Sequence, residues 1–67
     1  MSDYLIDLFD ESSELAVKIW KLERFIIGDT YDTLPDVDRL DLKKQLIFMQ
    51  GYYKVLGDRI SRECNAS

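Results

Sequence analysis

Apolar residues return at alternating steps of four and three through the second half of this chain, at Leu42, Leu46, Met49, Tyr53, Leu56 and Ile60. That spacing draws a heptad seam down one side of an α-helix, and such a seam has to be covered by another helix. The first half carries a matching seam at Leu5, Leu8, Ser12, Leu15, Ile19, Leu22 and Ile26. Two seams joined by the turn-rich segment GDTYDTLPD predict an all-α, antiparallel two-helix hairpin. The single domain divides into helix 1 over about residues 3–27, a loop over about 28–34, helix 2 over about 35–62 and a frayed tail at 63–67.

Local signals agree with this division. Ser2 and Asp3 suit a helix start, and Asp3, Asp7, Asp10, Glu11 and Glu14 load the first half of helix 1 with negative charge. Lys18, Lys21 and Arg24 follow at the end that favours cations, and Glu14 and Lys18 are spaced for an i,i+4 ion pair. Gly28 is expected as a left-handed cap, with Pro35 in the first turn of helix 2. A brief helical turn near Asp29–Thr33 is an alternative reading of the loop, with Tyr31 folding back over the hairpin tip. Antiparallel placement sets Leu15 by Met49, Leu8 by Leu56, Leu5 by Ile60 and the small Ser12 by Tyr53. It also brings the acidic half of helix 1 beside Lys54, Arg59 and Arg62.

One partner helix does not use all the apolar surface. Ile6, Phe9, Ser13, Ala16, Trp20 and Ile27 form a second stripe on helix 1, broken by Glu23, and Ile47 and Phe48 lie off the seam of helix 2. Either a third element of the chain covers that stripe or the hairpin self-associates into a helical-bundle homo-oligomer. A chain of 67 residues with one cysteine can form no internal disulfide, and it has no histidine. Small domains of this kind gain stability mostly from metals, disulfides or partners, which favours the homo-oligomer. Gly51 and Gly57 inside helix 2 mark either exposed positions or, at Gly51, a close approach of another backbone or a ligand.

Composition narrows the function. A net charge of −4 argues against nonspecific nucleic acid binding and against anionic membranes. No apolar run spans a bilayer, and the acidic start is unlike a secretory signal, so a cytoplasmic protein is expected. Without histidine, a phosphate loop or a nucleophile elbow there is no catalytic site to assign, and Cys64 has no base near it in sequence. The reading is a non-enzyme with no cofactor and no metal site; the acidic spacing Asp3, Asp7, Asp10, Glu14 reads as a solvated face.

Charge does gather in one region. The hairpin brings Lys18, Lys21 and Arg24 toward Arg39, Lys43 and Lys44, with Trp20 among them and Tyr31 and Phe48 within the same half. Cations hold phosphates and aromatic faces stack on bases, so this half suits a small anionic nucleotide ligand. The alternative is a solvated surface in which these cations pair with Glu23, Asp36, Asp38 and Asp41.

Lys18, Leu22, Phe25 and Ile26, then Leu34, Leu42, Gln45, Met49, Tyr53, Leu56, Arg59 and Ile60, resemble the recurring pattern of small phage-encoded helical-hairpin accessory proteins. These are similar in build to the anti-CBASS sponge proteins, which oligomerise and sequester cyclic oligonucleotide signals. The resemblance implies a phage anti-defence protein acting in the host cell cytoplasm, holding its ligand between protomers. The residues expected to contribute are Lys18, Trp20, Lys21, Lys43, Lys44, Tyr52 and Arg59. Two other functions compete: an acidic inhibitor or adaptor docking on a host defence protein through Asp3–Glu14, and a structural assembly protein with no ligand.

Overall fold

The structure, a computed structural model, describes residues 3–66. The Ser2 cap lies outside them, as does Ser67 at the end of the expected tail. Three helices follow in order: α1 (Asp3–Ile26), a single-turn α2 (Asp29–Asp32) and α3 (Asp36–Ala66). The two long helices pack antiparallel as a hairpin. Leu8, Leu15 and Leu56 are its buried centre, with Ile19, Met49 and Ile60 packed against them. All six are seam positions, so the heptad spacing selected the inward face of both helices.

Register is fixed by two polar rungs beside the seam. Tyr4 meets Arg59 and Glu11 meets Tyr52, a step of seven forward along α1 matched by seven back along α3. Both rungs agree with the placement of Leu8 by Leu56. Tyr53 departs from its expected role. It remains 42% exposed, because a two-helix pair has no third wall to cover so large a ring, and no hydrogen bond joins it to Ser12.

The connection differs from a simple loop. Gly28 is extended, with φ −89° and ψ 169°, and acts as N-cap of α2 rather than as a left-handed end of α1. The chain passes directly into another helical turn there, so no reversal is needed. The ring of Tyr31 is buried at the tip, and its hydroxyl donates to the Arg39 carbonyl at 3.1 Å. Thr33 closes α2 by bonding the Thr30 carbonyl through both its amide and its hydroxyl. Pro35 precedes α3, and its carbonyl accepts the amide of Arg39 at 3.1 Å.

At the other end α3 continues through Glu63, Cys64 and Asn65, where the sequence reading has a frayed tail after Arg62. Nothing between Ile60 and Ala66 breaks a helix, and propagation costs little once a helix is running. The ion pairs are local: Asp36 with Arg39, and Asp58 with Lys54 at 3.3 Å. The expected Glu14–Lys18 pair is not among those of the described residues, and Lys54 turns to Asp58 rather than to the acids of α1.

The result is a rod of 49 × 15 × 14 Å. Its radius of gyration is 15.3 Å, against about 11 Å for a compact domain of this length. Its accessible surface is 5137 Å², where a compact monomer of this mass exposes about 4400 Å². Among the described residues no helix is long and apolar enough to cross a membrane.

Candidate functional site

Along one flank of α3, residues Asp41, Lys44, Gln45, Phe48, Met49 and Tyr52 line an open groove of ≈ 580 Å³. Steps of three and four put these side chains in one row along the edge of the seam, to which Met49 itself belongs. Met49 forms the floor, since it also packs against the buried leucines. Phe48 stands 73% exposed on the wall, an apolar ring that the hairpin leaves in water. Lys44, Gln45 and Asp41 bring a cation, an amide and a carboxylate to the same row.

The polar rungs continue the groove toward the open end of the hairpin. The Tyr52 hydroxyl donates to the Glu11 carboxylate. That bond, more than desolvation or the Glu11 charge, raises the phenol above its ordinary value of 10.0, with Arg59 opposing. Arg59 donates from Nη2 to the Tyr4 hydroxyl at 2.7 Å while its guanidinium lies 5.7 Å from the Tyr4 ring centre. The bond to Tyr4 is also the main cause that pushes Arg59 above its ordinary value. One further step of seven sets Lys18 of α1 at the level of Gln45.

A second, smaller hollow of ≈ 210 Å³ lies at the tip, lined by Tyr31, Asp36, Arg39, Leu40 and Lys43. Lys43 sits 6.0 Å from the Tyr31 ring centre. Arg39 is engaged by Asp36, and its Nε is buried with no hydrogen-bond partner.

The seven residues expected from sequence therefore do not converge within one hairpin. Lys44 and Tyr52 share the groove, and the register places Lys18 on its flank. Arg59 is on the same side, about 10 Å beyond Tyr52 along the helix. Lys43 lines the tip hollow instead. Trp20 is 58% exposed beneath the guanidinium of Arg24, 5.4 Å away, and Lys21 is exposed beside it. The expected cluster of six cations is thus spread round the hairpin, with Arg24, Arg39 and Lys43 each engaged by a neighbouring side chain. Sequence reasoning did not place Gln45, Tyr4 or Glu11 in the site. The signal that marks the last two is their separation of seven, mirrored by Tyr52 and Arg59.

Fold and surface together define a small helical hairpin with an open groove along one flank of α3. A family model matches residues 2–62, and the chain belongs to the Sequestin family, phage proteins that sequester signalling molecules rather than catalyse a reaction. Neither the curated proteins nor the solved structures compared with the chain contain a match.

Proposed function

We propose that this protein is a non-catalytic anti-defence protein that takes a cyclic nucleotide signal out of solution, a cyclic oligonucleotide in the first instance, at a site between protomers. The observation that carries the reading is the exposed row Lys44–Gln45–Phe48–Tyr52 on one flank of α3. Ring faces take up bases, the lysine meets phosphate, and the amide and the Asp41 carboxylate serve base edges and sugar hydroxyls. Small-molecule sites bury most of their ligand, and one side of one helix cannot do so. A second protomer is the simplest other wall. Membership of a signal-sequestering family supports the small-molecule class. Its phage origin supports action in the host cytoplasm.

Calorimetry with a panel of cyclic mono-, di- and trinucleotides tests this. One of them is expected to bind and to be recovered chemically intact when the protein is denatured. Absence of heat with every member at micromolar protein removes the reading. The competing adaptor function uses the exposed acids of α1. It requires that reversing Asp7, Asp10 and Glu14 abolish anti-defence activity while the heat of ligand binding is unchanged.

A further inference from the structure

The flank of α1 that faces away from the groove carries its own uncovered stripe. Ile6, Phe9, Trp20 and Ile27 are exposed there, with Ser13 and Ala16 between them. At 3.6 residues per turn the stripe is centred roughly 160° round α1 from Tyr4 and Glu11. The polar rungs and the groove therefore occupy one side of the hairpin and this stripe the other.

We infer that the stripe is the primary interface with a second copy of this chain, packed α1 against α1 in antiparallel fashion about a twofold axis near Ser13 and Ala16. Two observations fix the occupant and its direction. The first is charge. Asp3 and Asp10 border one edge of the N-terminal half of the stripe, and Lys21 and Arg24 border the same edge of the C-terminal half, with Glu23 on the opposite edge. An antiparallel copy lays each acidic half along the partner's basic half, whereas a parallel copy opposes like charges. The second is shape. The small side chains of Ser13 and Ala16 stand at the centre, where two helices approach most closely, and Phe9 comes level with the partner's Trp20. An isologous interface demands this reciprocity.

This interface does not depend on the ligand. It leaves the groove on the outer side of the dimer, so a groove closed by another copy belongs to an assembly of more than two chains built through two different surfaces. It also gives the acids of α1 a role in self-recognition.

Sedimentation of the unliganded protein tests the interface, independently of the ligand calorimetry. The expected mass at tens of micromolar is at least twice the 7.9 kDa of the chain. A monomer overturns the inference. Two variants then test direction: Asp3→Lys with Asp10→Lys, and Lys21→Glu with Arg24→Glu. Each alone is expected to dimerise at least about tenfold more weakly at low salt, and an equimolar mixture to recover to within about threefold, because only the mixed dimer restores opposite charges at both ends. A variant that also loses helicity regains it on mixing. Unchanged dimerisation of either variant alone, or no recovery in the mixture, overturns the antiparallel arrangement.

Discussion

Arg59, near the end of α3, donates a 2.7 Å hydrogen bond to the hydroxyl of Tyr4 in the first turn of α1, and its guanidinium lies 5.7 Å from the same ring. One side chain thus makes a hydrogen bond and a cation–π contact across the open end of the hairpin. It clasps the end that has no connecting turn. Arg59→Ala is expected to speed amide exchange in the first two turns of α1 several-fold while exchange around Leu15 stays as before. Tyr4→Phe keeps the ring contact and loses the hydrogen bond, so it should fall between the two. Equal protection at both ends in Arg59→Ala would show that the clasp is idle.

Alkaline pH probes the second rung. Tyr52 has a raised folded-state pKa because its hydroxyl bonds Glu11. A group raised in the folded state contributes stability that is complete below its unfolded value, here the ordinary 10.0, and lost as pH climbs through the higher folded value. Tyr52→Phe should therefore melt lower than wild type at neutral pH, and the gap should close above pH 10.0. Absorbance titration of the tyrosines should lose a component that ionises above the ordinary 10.0 in that variant and show it moved down in Glu11→Gln.

Among the described residues Leu56 is the one side chain that the hairpin encloses completely, at 0% exposure. Leu56→Ala is expected to cost about 2–5 kcal/mol, enough to unfold much of so small a domain at room temperature. Thermal melting followed by circular dichroism reads this directly.

Gly57, its neighbour, has nothing within 4 Å of where a β-carbon would stand. Gly57→Ala should raise stability by about 1 kcal/mol through helix propensity alone. The same holds within one hairpin for Gly51, equally open. A smaller gain, or a loss, at Gly51 in the assembled protein would report a close approach by another chain.

Phe48 separates binding from folding. With its ring 73% exposed, Phe48→Ala should leave the melting temperature of the hairpin within about 2 °C. In calorimetry it should weaken ligand binding by at least about tenfold, the size of effect that removing a stacking platform produces. Equal affinity in the variant would move the site off this groove.

Much of the architecture was legible in the chain because heptad spacing is a local code. Leu8, Leu15, Ile19, Met49, Leu56 and Ile60 could each be placed inward from neighbours three and four residues away, and the antiparallel register followed from matching the two seams. Features that depend on more than one segment were not. Gly28 looked like a left-handed stop until the chain was seen to enter α2. Tyr53 scored as a seam residue although no third wall exists to cover it. The cations named from the sequence fall on different flanks of one hairpin, although cations on helices three and four residues apart all look convergent in a one-dimensional pattern. Which flank each takes depends on helix rotation about the seam, and that rotation divides Lys44 and Tyr52 from Lys43.

By itself, then, the sequence determined the all-helical hairpin, its antiparallel sense and an apolar surface wider than one partner helix covers. Those properties are periodic, and periodicity survives without coordinates. Tertiary structure alone decided that Tyr4 meets Arg59 and Glu11 meets Tyr52, and so which side of α3 stands open beside them. A hydrogen bond between residues dozens of positions apart depends on how two helices are rotated against each other, and no single stretch of the chain encodes that angle.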